Sequence, residues 1–369
     1  MKNLLLMICA CGLAFSACSG AKTPENEPGL KDALQDKFLI GAALNIDQFS
    51  GIDTLGEQVV KKHFNAIVAE NCMKSRYLQP EEGRFFFDDA DRFVDFGEKN
   101  NLTVTGHCLI WHSQTPAWFF TDNEGKDVPR DTLIARMKNH ITTIVSRYKG
   151  RVKGWDVVNE AILDDGSWRQ SKFYTIIGED YIQLAFQFAH EADPDVELYY
   201  NDYSMSNKGK QQGVVKLVKS LQEQGVRIDA VGMQGHLSME WPSVEEFEES
   251  LLAFSETGVK VMITELDLNI LPNPRPDVGA DVATSFEYRK EMNPYPDGLP
   301  EDVEAAWEKR MYDFFSLFLK HQDKISRVTL WGVSDAGSWL NDWPIPGRTN
   351  YPLLFDRNYQ PKNIVKLVL

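Results

Sequence analysis

The sequence predicts a protein of the α/β class folded as a (β/α)8 barrel, and three observations carry that expectation. Short apolar, β-branched runs alternate with longer stretches of helical spacing from about residue 38 onward. The apolar runs number eight, in a chain whose length suits one large domain. No G-x-G-x-x-G follows the first run, so an open dinucleotide-binding sheet gains no support. Taken in order, the candidate strands are "FLIGAAL" (38–44), "FNAIVAE" (64–70), "LTVTGHCLIW" (102–111), "VKGWDVVNE" (152–160), "VELYYND" (196–202), "AVGMQGH" (230–236), "VKVMITELD" (259–267) and "RVTLWGV" (327–333). The segments between them read as helices. From 131 to 149, for example, Leu133, Met137, Ile141, Ile144 and Tyr148 recur every three or four residues and mark one buried face. One connection breaks the rhythm: residues 269–300 hold six prolines, and so long a loop in a compact domain usually serves a binding site.

The chain has 369 residues, 43% of them apolar and 25% charged, with a formal net charge of −15. That charge repels phosphate backbones and anionic lipid, so nucleic acid is a poor partner and a neutral substrate is favoured. Residues 1–17 carry a basic start at Lys2, an apolar run and small residues before Cys18, the pattern of an export signal and too short to span a membrane. "FSAC" resembles a bacterial lipobox, with Phe15 where an aliphatic residue is usual. It implies that Cys18 is lipidated and that the protein is anchored to the outer membrane, facing periplasm or cell surface. Residues 19–30 are polar and rich in Pro and Gly, as a flexible tether should be, and 31–369 form the barrel domain. Of five cysteines only Cys72 and Cys108 lie beyond this leader, both inside apolar runs, so buried free thiols are expected and not a disulfide scaffold. No partner chain is asked for, and a monomer is expected.

A barrel of this kind keeps its active site at the C-terminal ends of the strands, so polar residues that close an apolar run are informative. Strand two closes on Glu70 and Asn71, with Lys74 following, and strand three holds His107, Trp111 and His112. Strand four ends in Asn159 and Glu160, strand five in Asn201 and Asp202 before Tyr203, and strand six in Gln234 and His236. Strand seven ends in Glu265 and Asp267, and strand eight carries Trp331 and Asp335 before Trp339. Any one of these alone reads as a solvated loop residue or helix cap. Together they converge on one mouth, where core packing would prefer apolar side chains.

His107 and His112 are five apart on a strand and so point to opposite faces, and no H-E-x-x-H or paired-Cys spacing occurs, so neither a metal nor another cofactor is expected. There is no G-x-S-x-G elbow either. Two glutamates remain as the reactive pair. Glycosidic bonds are cleaved by two carboxyl groups, one protonated to donate to the leaving oxygen and one ionised. Trp and Tyr stack on sugar rings while Asn, Gln, His and Lys bond their hydroxyls, so the inventory suits a neutral carbohydrate.

The motifs "ENCMK", "GHCLIWH", "WDVVNEA", "YYNDYS", "GMQGHL", "ITELDL" and "LWGVSDAGSW", in this order, resemble glycoside hydrolase family 10, whose members are mainly endo-β-1,4-xylanases, over about residues 36–369. The resemblance implies that Glu160 is the general acid/base and Glu265 the nucleophile of a retaining reaction on xylan, with carboxyls about 5 to 5.5 Å apart. Asn159 is similar to the asparagine that bonds the sugar 2-hydroxyl, and His236, backed by Asp267, to the residue that orients the nucleophile. Glu70, Asn71, Lys74, His107, Trp111, Gln234, Trp331 and Trp339 match the glycone-side binding set, and Tyr203 lies nearer the leaving group. In many members the peptide after the strand-three histidine is cis, here His107 to Cys108. Two departures stand out. Ser75 and Arg76 occupy places where many members carry a tryptophan after the lysine, which is expected to alter the distal glycone wall, and Leu340 replaces a common arginine near the mouth. The alternatives are a barrel β-glucanase or mannanase, or a catalytically silent glycan-binding surface lipoprotein.

Overall fold

The computed structural model describes residues 28–274 and 285–368. The expected signal segment, Cys18 and all but the end of the expected tether lie outside that range. Leu30, assigned to the tether, begins a one-turn helix at Leu30–Ala33 and is fully buried, so packed structure starts just before it.

Nine strands occur among the described residues: β1 (Leu39–Leu44), β2 (Ala66–Ala69), β3 (Thr103–Trp111), β4 (Gly154–Asn159), β5 (Glu197–Asp202), β6 (Ala230–Met233), β7 (His236–Ser238), β8 (Lys260–Asn269) and β9 (Ile325–Leu330). All pair in parallel, with β1 between β2 and β9, and β6 against β8, so that eight of them close into a (β/α)8, or TIM, barrel. The ninth, β7, pairs only with the upper part of β8, placing His236 beside Asp267. The expected strand 230–236 is therefore two pieces. Gly235, at φ +82°, turns the chain between them, which periodicity alone does not reveal.

A helix packs outside each stretch of sheet, and local sequence explains where the helices start. Arg130–Arg147 matches the predicted 131–149 segment and buries Leu133, Met137, Ile141 and Ile144. Val244–Ser255 opens on a capping box between Ser243 and Glu246. Glu301–Lys320 follows Pro300, has Glu301, Asp302 and Glu304 in its first turn, and buries Trp307, Met311, Phe314 and Phe318.

Large and small residues interlock across adjacent strands. A Cβ on Gly106 would lie 2.0 Å from the ring of Trp155, its register partner on β4, and one on Gly154 would meet the Tyr199 hydroxyl at 2.1 Å. Neither glycine leaves room for a side chain. The segment from 335 to 362 packs inward through Leu353, Leu354 and Phe355, which belong to the core. Asp335, read as part of the mouth, instead accepts the Leu353 N–H at 2.8 Å and lies 2.8 Å from the buried Lys362 Nζ. It anchors the closing loop. The start of the long 269–300 connection is tied to the same loop, because Arg348 donates to the Pro272 carbonyl at 3.0 Å.

Candidate active site

Glu160 and Glu265 both end buried at the C-terminal mouth, each about 5% exposed. Glu160 follows the last residue of β4 and has φ +61°, a left-handed conformation uncommon for a residue with a side chain. Its Oε2 accepts the Trp111 indole N–H at 2.7 Å, and its Oε1 accepts Gln234 Nε2 at 2.9 Å. Glu265 lies within β8, where its Oε1 accepts Asn201 Nδ2 at 2.8 Å and its Oε2 faces His236 Nε2 at 3.1 Å. A continuous chain links the two carboxylates. Asn201 Nδ2 also donates to Asn159 Oδ1 at 2.9 Å, and Gln234 Nε2 reaches the same oxygen at 3.4 Å.

Their surroundings push the two groups apart. Burial raises the Glu160 carboxyl, the charge of Asp202 raises it further, and the bonds from Gln234 and Trp111 only partly offset this, leaving it at about 7. Burial works the same way on Glu265, but there it is outweighed by the His236 hydrogen bond and charge and by Asn201, so the carboxyl is held below the ordinary glutamate value. At neutral pH Glu160 is about half protonated while Glu265 is ionised. Two carboxyls with divided proton states are the usual mark of an acid/base and nucleophile pair.

His236 stands between two carboxylates, with Nδ1 3.0 Å from Asp267 Oδ1. Burial disfavours its charge, but Asp267 and Glu265 reverse this and carry it to about 10. Trp339 donates to the other Asp267 oxygen at 2.8 Å, fixing the carboxylate. Asn159 accepts through Oδ1 alone, and among the described residues no acceptor takes its amide N–H, which leaves that donor available to a sugar hydroxyl.

The predicted glycone set also assembles. Lys74 Nζ lies over the rings of Trp111 and Trp331, 5.2 and 5.9 Å from their centroids, and donates to Asn71 Oδ1 at 3.2 Å. Asn71 in turn donates to Glu70 Oε1 at 3.4 Å. His107 packs edge-on to Trp331 and is oriented by Asp156 Oδ2, 2.9 Å from its Nδ1. The His107–Cys108 peptide is cis. Tyr203 lies on the Glu160 side, its hydroxyl accepting Arg169 Nη2 at 2.7 Å.

One reading needs correction, and the two departures can be placed. His107 and His112 do not point to opposite faces: the β3–β4 register shifts between His107 and Ile110, and His112 Nδ1 comes to 3.9 Å from Glu160 Oε2. Ser75, at the first departure, has its side chain buried against the Leu109 carbonyl and His140 Nε2. Leu340, at the second departure, is 2% exposed.

Asn201, Asp202 and Asp156 were visible as polar residues on strands, but their partners were not. Arg169 and Lys210 left no signal, since each acts from a loop or helix that local periodicity assigns to the surface.

Comparison with known proteins agrees with this geometry. Residues 29–369 match the profile of glycosyl hydrolase family 10. The chain is 53% identical over 349 residues to endo-1,4-beta-xylanase A of Xylanibacter ruminicola, covering 95% of each chain. It is 42% identical to an endo-1,4-beta-xylanase of Geobacillus stearothermophilus, covering 91% of this chain and 96% of that one. Among solved structures, a GH10 endoxylanase retrieved from a sugarcane soil metagenome superposes with a TM-score of 0.89 at 47% identity, covering 92% of this chain and 99% of the other. The chain belongs to glycosyl hydrolase family 10.

Proposed function

We propose that in this family 10 endo-1,4-β-xylanase Glu265 is the nucleophile and Glu160 the general acid/base of a retaining double displacement on internal xylosidic bonds of xylan. The observation that carries this is the buried glutamate pair at the mouth with unlike partners, Glu160 held by Trp111 and Gln234 and raised to about 7, Glu265 held by His236 and Asn201 and lowered. Ionised Glu265 attacks the anomeric carbon while Glu160 gives its proton to the departing glycosidic oxygen. The sugar is then held as an ester of Glu265. Glu160, now ionised, takes a proton from water as that water displaces Glu265, and the starting protonation is restored. Asn159 donates to the 2-hydroxyl, His236 and Asn201 orient the nucleophile, and Lys74, Trp111 and Trp331 form the glycone wall.

The test is hydrolysis of arabinoxylan, glucuronoxylan and cellulose by the purified domain beside Glu265→Ala. Xylan cleavage to short oligomers, abolished in the variant, is expected. Activity on cellulose alone would overturn the substrate, and activity surviving in the variant would overturn the mechanism. A chain that binds xylo-oligomers without cleaving them would be a silent binder.

We also propose export and lipid anchoring through Cys18, supported by the motif in residues 1–18. Cys18→Ala is expected to abolish incorporation of labelled fatty acid. Unchanged labelling would refute the anchor.

A further inference from the structure

Asn159 pairs in register with Asn201, so Glu160 and Asp202 are the next neighbours on β4 and β5. Side chains alternate along a strand, and Asp202 points outward beneath the helix Lys208–Glu223. A fully extended Glu160 would point outward with it. The left-handed φ of Glu160 instead turns its carboxylate to the mouth.

A sealed polar cluster holds that turn. The Glu160 N–H donates to the Asn201 carbonyl at 2.9 Å, and Arg169 Nε donates to the Glu160 carbonyl at 2.8 Å. The next two amides, of Ala161 and Ile162, donate to the Tyr200 hydroxyl at 3.0 and 3.1 Å. The Tyr200 hydroxyl in turn donates to Asp202 Oδ2 at 2.5 Å, an oxygen that the Ile162 N–H also approaches at 3.3 Å. Asp202 Oδ1 accepts the Tyr203 N–H at 2.9 Å and Lys210 Nζ at 3.0 Å. Lys210 is itself fully buried, lies 3.8 Å from the Tyr203 ring centroid and contacts a second carboxylate, Asp164, at 3.0 Å. Asp202 and Lys210 have no exposed surface, so substrate does not touch them. A buried ion pair is an expensive way to pack a core, and an apolar pair of similar volume commonly does as well. Its position directly behind the acid suggests another role.

We propose that Asp202 is a positioning residue for the general acid: anchored by Lys210, its carboxylate clamps the turn that aims Glu160 at the mouth and sets a negative charge behind it that favours the protonated form. This rests on the reading of Glu160 as the acid. The groups facing Glu160 are Trp111, His112 and Gln234 at the mouth, Glu265 across the cleft, Arg169 and Tyr203 on the flank, and Asp202 behind. Those facing Asp202 are Lys210, Tyr200, Arg169 and, more distantly, Tyr181. Of the two anions near Glu160, Asp202 acts more strongly than Glu265.

The test compares pH profiles of kcat/KM on xylan, whose leaving group needs a proton, and on 2,4-dinitrophenyl β-xylobioside, whose leaving group does not. In Asp202→Asn the alkaline limb on xylan is expected to move down by about half to one pH unit, because the charge that favours protonation is gone. On the activated substrate kcat/KM, which reports only formation of the glycosyl-enzyme, should stay close to wild type. The double variant Asp202→Asn with Lys210→Met, which leaves neither partner of the pair charged, should move the limb down by less, since a compensating cation is lost as well. It carries the same test if the single variant does not fold. An unmoved limb in a folded variant, or an equal loss on both substrates at every pH, would overturn the proposal. Glu160→Ala runs alongside: if it retained full xylan turnover, the acid assignment itself would fail, whatever Asp202 does.

Discussion

Asp267→Asn tests how the nucleophile is kept ionised. In the wild type the His236 ring lies between Asp267 Oδ1 at 3.0 Å and Glu265 Oε2 at 3.1 Å. Ionised carboxylates only accept, so both ring nitrogens must donate and the ring is an imidazolium. Burial opposes that charge, and the two carboxylates overcome it to bring His236 to about 10. Trp339 occupies the second Asp267 oxygen at 2.8 Å. Asparagine offers one accepting and one donating end, so either His236 or Trp339 would then face an N–H. Losing one charge-assisted hydrogen bond costs about 1.5–3 kcal/mol, equivalent to about one to two pH units. His236 is therefore expected to fall from about 10 toward roughly 8. A histidine with a raised value is charged below it, so the variant loses its imidazolium from the alkaline side. The assay is kcat/KM on 2,4-dinitrophenyl β-xylobioside, which does not depend on the Glu160 proton. The wild type should hold its plateau to about pH 10, and the variant should decline from roughly pH 8. Imidazole nitrogen NMR follows the same proton directly. A wild-type His236 signal that titrates near 6.5, or a variant profile identical to wild type, would refute the reasoning.

On xylan itself, wild-type kcat/KM should fall on the alkaline side near pH 7, as Glu160 loses its proton, and on the acid side only below about 4.5, because Glu265 stays ionised to lower pH; a single alkaline limb above about 9 would contradict this. Ser75→Trp forces a large ring into a buried slot beside His140, so a lower melting temperature, equivalent to about 1–3 kcal/mol, is expected without tighter xylo-oligomer binding. Calorimetry of both properties decides it, and tighter binding at unchanged stability would show that a ring at position 75 reaches the glycone wall. His140 is buried between Gln79 and Ser75 and lowered to about 3, mainly by burial. Its contribution is complete above the unfolded value of 6.5 and is lost as pH falls from there toward 3, by up to about 5 kcal/mol. Urea unfolding at about pH 7 and pH 4 should show a steeper loss in wild type than in His140→Gln. Equal losses would mean the ring is not neutral in the fold.

Much of this was legible because it depends on local period. A strand alternates and a helix repeats every three or four residues whatever lies across the core, so eight repeats, and the polar residues closing them, could be read directly. Errors fell where a neighbour in space overrides the period. The strand expected at 230–236 breaks because Gly235 takes a positive φ, and His112 reaches the site because β3 shifts register against β4. Ser75 and Leu340 lie beside site residues in sequence, yet both side chains pack inward.

By itself, then, the amino-acid order determined the barrel, the strand ends that carry chemistry and the two glutamates that stand at them. Only the tertiary structure shows why Glu160, and not Glu265, is the one that holds a proton, as the resemblance implies. Both are buried carboxyls at the mouth, and the difference lies in what surrounds them: Asp202 stands behind Glu160, while His236 and Asn201 donate to Glu265. Those partners come from other strands, dozens of residues away along the chain, and a proton's free energy sums over neighbours in space, not over neighbours in sequence.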